Sequence, residues 1–182
     1  MLHELEMRKH ELNDEPLSSV YFGGGTPSIL SAKQLDQLFN GINKHYRINA
    51  GSEFTLEANP DDITQEKLTF LKSTPVNRFS MGVQSFFDED LVWMNRAHQA
   101  SEAEKSIRLI QDFGFDKITI DLIYGSPTLS NTNWEKNLNK VIELNLNHLS
   151  AYCLTAEPQT ALQLQIQKGN LPPLDEEKAA RS

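Results

Sequence analysis

The chain has 182 residues, of which 38% are apolar, 23% charged and 8% aromatic. Those proportions exclude a disordered or collagen-like polymer, and the length suffices for one domain with its own core. Acidic residues outnumber basic ones 25 to 17, a net charge of −8, which disfavours non-specific binding to nucleic acid.

Met1 to Leu12 are charged and patterned as a helix through Leu2, Leu5 and Leu12, predicted over residues 1–13. They carry no secretory signal, and no apolar run approaches the ~18–20 residues of a membrane span, so the expected location is cytoplasmic. Ser19-Val20-Tyr21-Phe22 reads as a strand that ends in Gly23-Gly24-Gly25. Ser31-x-x-Gln34 is a capping box, followed by an apolar stripe of Leu35, Leu38, Phe39 and Ile42. The second strand is Phe54 to Glu57. A weaker helical stripe of Ile63, Leu68 and Leu71 follows it. Arg78 to Gln84 is the third strand. Ser101-x-x-Glu104 predicts the start of the next helix, with Ala103, Ile107, Ile110 and Phe113 on one face and Gly114 at its end. Lys117 to Tyr124 is the fourth strand. Thr132-x-x-Glu135 predicts another helix start, with Trp134, Leu138, Val141 and Ile142 apolar. His148 to Leu154 is the fifth strand, and Gly169 to Ser182 is predicted to be loose.

Strand–helix alternation implies an α/β fold with a parallel sheet, either open and doubly wound or curved into a barrel. Periodicity does not choose between them. In both, ligands gather at the carboxyl ends of the strands. Glu57, Gln84 and Asp121 fall there in successive units, beside the triple glycine. A tight turn would also account for the glycines. A dinucleotide fingerprint would not, because Gly23-x-Gly25-x-x-Ser28 lacks the third glycine and Pro27 stands where the helix should open. No Gly-Lys-Ser/Thr follows, so a Walker phosphate loop is excluded as well.

Glu57 at a strand end needs a cationic or donor partner, such as an ammonium or an arginine. Arg96 is the reverse case, since a guanidinium grips a carboxylate through two parallel hydrogen bonds. Seen alone, Arg96 reads more readily as a solvated surface charge. Gln84 and Asp121 suit vicinal hydroxyls such as those of ribose. Together the set suits a zwitterionic amino acid joined to a nucleoside. His3, His10, His45, His98 and His148 show no metal-ligand spacing and read as surface or packing residues, His98 being nearest in sequence to Arg96. Cys153 is the only cysteine. It can form no internal disulfide, cannot alone hold zinc or an iron–sulfur cluster, and is predicted to be buried and inert. Trp93 and Trp134 read as packing residues.

Gly23 to Ser28, Leu56 to Pro60, Asn77 to Phe86, Asp121 to Gly125, and His148 to Pro158 form an ordered set across residues 18 to 160. This set resembles the radical S-adenosylmethionine (SAM) family of oxygen-independent coproporphyrinogen III oxidases and their close relatives, the heme chaperones. The resemblance implies a curved, partial (β/α)6 TIM-type barrel, a [4Fe-4S] cluster, and SAM at the strand carboxyl ends. It assigns Gly24, Gly25 and Thr26 to the methionyl amino group and the border of the adenine. It assigns Glu57 to the amino group, Arg96 to the methionyl carboxylate, Gln84 and Asp121 to the ribose, and the Thr155 backbone to the adenine.

Gln84-Ser85-Phe86 and Leu154-Thr155-x-Glu157-Pro158 are more similar to the heme chaperones, which hold heme and pass it to respiratory enzymes. The alternative is the oxidase, which decarboxylates porphyrinogen propionates to vinyl groups. The family's cluster is held by Cys-x-x-x-Cys-x-x-Cys, and this sequence contains no such motif. The resemblance therefore implies a barrel truncated to about five βα units. Residues 1–17 would be a helix of the first unit, 18–168 the barrel core and 169–182 the tail. Such a chain is expected to provide no metal ligands and to do no radical chemistry unaided. The expected partners are SAM and heme or coproporphyrinogen III, with no nucleic acid, no transmembrane segment, and self-association through exposed barrel edges.

Overall fold

A computed structural model describes residues 1–180. The strands are β1 (Leu17–Phe22), β2 (Ile48–Ala58), β3 (Arg78–Gln84), β4 (Lys117–Tyr124) and β5 (His148–Cys153). The helices are α1 (Leu2–Met7), α2 (Ala32–His45), α3 (Gln65–Leu71), α4 (Asp88–Trp93), α5 (Ala100–Asp112), α6 (Asn131–Glu143), α7 (Ala161–Gln167) and α8 (Glu176–Ala180). Short 3₁₀ turns sit at Pro27–Ile29 and Pro60–Asp62.

The five strands lie in space in their sequence order, β1-β2-β3-β4-β5, and every neighbouring pair is parallel. A doubly wound sheet reverses its strand order at a switch point, and this sheet never does. Right-handed crossovers in one direction put the helices on one face, and the sheet curls away from them. The result is the curled half-barrel of a partial TIM-type barrel, which resolves the choice left open by periodicity.

Alternate side chains separate two chemistries. Phe22, Leu56, Phe79 and Ile118 lie in one register row, and Met81 and Ile120 in the next. All of them are buried under the helices. Leu35 of α2, Leu68 of α3 and Ile107 of α5 meet that face with no exposed surface. Each such side chain contributes roughly 1.5–3 kcal/mol of burial. Phe39 joins Phe22 and Phe54 edge to face, with ring centroids 5.3 and 6.4 Å apart, and so fixes α2 over β1 and β2. The opposite, concave face is polar: Thr55 with Arg78 and Lys117 in one row, Glu57 with Ser80, Thr119 and His148 in the next, then Asp121 with Ser150.

Several local expectations change. Ser31 and Gln34 do form a capping box. The cap of α5, however, is Gln99, whose N–H donates to Glu102 Oε2 at 2.7 Å. Glu104 instead faces outward toward Arg108 and Lys140. Ser130, not Thr132, caps α6, accepting from the Asn133 N–H at 3.1 Å. The first helix stops at Met7, and Asn13 and Asp14 then take left-handed conformations, with φ 49° and 60°. The tail contains α8, which places Ala179 against Gly125. Cys153 is exposed rather than buried, because β5 is an edge strand.

Candidate functional site at the carboxyl ends of the strands

β1 delivers the chain into Gly23-Gly24-Gly25. Gly24 and Gly25 have φ 77° and 67°, a region in which side chains are strained. This conformation aims the Gly24 N–H at Glu57 Oε2, 3.0 Å away. The Tyr21 hydroxyl donates to Glu57 Oε1 at 2.8 Å. The far end of the loop is clamped by Ser28, whose hydroxyl donates to Asp62 Oδ2 at 2.6 Å and whose carbonyl accepts from Lys67 Nζ.

Gln84 ends β3 with φ 68°, where the pairing to β4 slips between Met81 and Gln84. This turn brings its side chain back over Gly82. A β-carbon at Gly82 would stand 2.9 Å from Gln84 Nε2, 3.4 Å from Asn59 Oδ1 and 3.5 Å from Arg96 Nη2. Arg96 follows α4, where Asn95 (φ 55°) reverses the chain and the Arg96 N–H returns to the Leu91 carbonyl at 2.9 Å. Buried His98 holds the next turn against β3: its Nε2–H donates to the Val83 carbonyl at 3.1 Å. His98 is thus a packing residue that also seats Arg96.

Burial lowers the Arg96 guanidinium from its usual value, and the charges of Asp61 and Asp121 oppose that shift. Burial raises the Asp121 carboxyl, as does the nearby Glu57 charge. A hydrogen bond from Ser150, the proximity of His148 and the Arg96 charge act the other way. Asp61 and Asp121 thus face the Arg96 guanidinium, and Glu57 and His148 lie near Asp121, so carboxylates outnumber the one guanidinium at the rim.

The structure thus gathers Glu57, Gln84, Arg96 and Asp121 with Gly24. Gly25 and Thr26 continue the same loop, and Thr26 turns toward a groove of about 540 Å³ between α1 and α2. Thr155 does not join the cluster. It follows β5 at the sheet edge and lines a separate cavity of about 580 Å³ with Gly125 and Cys153.

Sequence reasoning overlooked Tyr21, Asp61, Ser80 and Ser150. It also overlooked a buried network behind the site. Asp90 accepts from Ser85 at 2.7 Å, Thr128 at 2.5 Å and Ser126 at 3.4 Å. Asn137 donates to Ser85 at 3.2 Å and accepts from the Phe86 N–H at 2.8 Å. The network ties the loop after Gln84 to the loop after β4. A usable signal was the alternation of polar residues at the same phase in successive strands.

A family model described as the radical SAM superfamily matches residues 2–141. The chain belongs to the radical SAM superfamily. It is 39% identical to the heme chaperone HemW of Bacillus subtilis over 164 residues, covering 88% of this chain and 43% of that protein. It is 34% identical to HemW of Escherichia coli over 160 residues, covering 88% and 42%. Among solved structures, the coproporphyrinogen III oxidase HemN of Escherichia coli superposes with a TM-score of 0.85 at 29% identity, over 98% of this chain and 41% of that one. The archaeal Elp3 of Methanocaldococcus infernus shares the fold, with a TM-score of 0.74 at 19% identity over 98% of this chain and 46% of that one. The chain spans less than half the length of these proteins.

Membership of the radical SAM superfamily implies SAM and a [4Fe-4S] cluster. The rim fits SAM, as a cradle of bare main chain, acids, an amide and a guanidinium. The chain does not fit the cluster: its one cysteine lies exposed on β5, and no group of three or more His, Cys, Asp or Glu among the described residues is placed to hold a metal. No helix among the described residues is long and apolar enough to cross a membrane.

Proposed function

We propose that this chain is the SAM-binding core of a heme-handling radical SAM protein of the heme chaperone kind, acting in the cytoplasm. The observation that carries the reading is the convergence of Glu57, Gln84, Arg96 and Asp121 on one rim with an excess of negative charge. SAM combines an ammonium, a carboxylate, a sulfonium and a ribose, and its net charge is positive. In this reading Glu57 accepts hydrogen bonds from the α-ammonium. Arg96 grips the carboxylate with its planar fork. Gln84 and Asp121 hold the ribose hydroxyls, while Gly25 and Thr26 border the adenine; Thr155, in its separate cavity, takes no part in this reading. When bound, SAM supplies the 5′-deoxyadenosyl group from which the superfamily draws its radical.

The relatives named heme chaperone, at 34–39% identity, support heme as the cargo. A second reading, oxidative decarboxylation of coproporphyrinogen III, is favoured by the 0.85 TM-score with the oxidase. Heme titration and a decarboxylation assay on the intact protein separate them: stable heme binding without vinyl product supports the chaperone. The SAM site is tested by titrating SAM against Glu57→Ala and Arg96→Ala. Each is expected to lose affinity by about tenfold or more, and unchanged affinity in both overturns the assignment. In this reading, residues 18–168 carry the barrel, residues 1–17 and 169–182 flank it, and the unpaired edges of β1 and β5 are the surfaces for self-association.

A further inference from the structure

The first glycine of the triple has no conformational reason to be glycine. Gly24 and Gly25 need positive φ, but Gly23 does not. What Gly23 provides is space. A β-carbon there would lie 2.5 Å from Tyr21 Cε1, 2.9 Å from Tyr21 Cδ1 and 2.9 Å from Glu57 Oε1. Tyr21 stands two residues earlier on the same face of β1, and its ring lies across the bare Gly23 backbone toward β2. There its hydroxyl meets Glu57 Oε1 at 2.8 Å, while the Gly24 N–H meets Oε2 at 3.0 Å.

We propose that Tyr21 is a positioning residue that acts on the ligand through Glu57: phenol and Gly24 amide each hold one carboxylate oxygen, and so fix the plane that the acid presents to an α-ammonium. The inference rests on the SAM reading above. A glutamate side chain has three rotatable bonds, and an acid free to turn would lose entropy on binding each ligand. With one donor on each oxygen, that ordering is complete before the ligand arrives. The free lone pairs of both oxygens remain as acceptors. Burial pushes the phenol up and the Glu57 charge adds to this, against a hydrogen bond from Ser80, so Tyr21 stays a donor through the neutral range. Tyr21 is 59% exposed, so it contributes more to the rim than to the core.

The test is SAM and 5′-methylthioadenosine binding by calorimetry to the chain and its Tyr21→Phe, Glu57→Gln and doubly substituted forms. The second ligand keeps the adenosine but lacks the ammonium. Tyr21→Phe is expected to weaken SAM about five- to twentyfold, leave 5′-methylthioadenosine unchanged, and add nothing in the Glu57→Gln background. Gly23→Ala, whose β-carbon crowds both the ring and Glu57 Oε1, is expected to weaken SAM at least as much as Tyr21→Phe. Equal losses for both ligands, or full additivity with Glu57→Gln, overturn the positioning role. Loss with Glu57→Gln but none with Tyr21→Phe overturns the tyrosine and leaves the SAM site standing. No SAM binding by the unsubstituted chain overturns the site itself and this inference with it.

Discussion

The Arg96 guanidinium lies over the bare α-carbon of Gly82, with Nη2 3.5 Å from the point a β-carbon would occupy. Gln84 Nε2 stands closer still, at 2.9 Å, so two rim side chains share the space of one missing methyl group. Gly82→Ala is therefore expected to part them. Both are flexible side-chain ends, so the fold should survive with a thermal midpoint near that of the parent. SAM affinity should fall several-fold, measured by calorimetry. An unchanged affinity would show that the two groups do not act together.

Arg96→Lys keeps the positive charge between Asp61 and Asp121 but removes the planar fork. The expected result is about a tenfold loss of SAM affinity with little change in thermal midpoint. Equilibrium dialysis with labelled SAM measures the first and differential scanning fluorimetry the second.

Asp121 links the site to pH. Burial raises its carboxyl above the ordinary 3.8, so between pH 3.8 and its folded value the native state binds more protons than the unfolded chain. Stability from this group therefore falls as pH rises through that window. Asp121→Asn should raise the thermal midpoint at pH 7, with the gain shrinking as pH falls toward 3.8. The same variant should bind SAM more weakly. Midpoints taken across pH 3.5–7 on parent and variant check the sign.

Asp90→Ala leaves the hydroxyls of Ser85, Ser126 and Thr128 without their buried acceptor. A loss of about 3 kcal/mol is expected in urea unfolding. Leu68→Ala, by contrast, empties apolar volume at a fully buried position and should cost about 2–5 kcal/mol. Only Asp90→Ala should also disturb SAM binding, because the Asp90 network anchors the segment just after Gln84.

Much of this architecture was legible in the sequence, for physical reasons. Strand runs such as Phe79 to Val83 alternate apolar residues buried under the helices (Phe79, Met81, Val83) with Ser80 and Gly82 on the other face, and read as strands by that period. Ser31 and Gln34 make a local cap that needs no tertiary partner. The starts of α5 and α6 were misplaced because Gln99/Glu102 and Ser101/Glu104, or Ser130/Asn133 and Thr132/Glu135, offer competing caps two residues apart. Packing of Ile107 and Trp134 then decides the phase. Cys153 was misread because an apolar run does not reveal that its strand lies at an edge. Tyr21 and Asp61 were missed because their roles depend on a diagonal between strands and on a 3₁₀ turn, and neither leaves a local pattern.

The two-faced strands also constrain how this protein can vary. One residue inserted before Ser80 in β3 or before Asp121 in β4 would turn that residue toward the helices and Met81 or Leu122 into the bowl, exchanging oil for water along the rest of that strand. Insertions are therefore expected to be tolerated in the connecting loops, where the spacing from Glu57 to Thr119 can drift, and within a strand only where a bulge absorbs the extra residue, as at the slip between Met81 and Gln84.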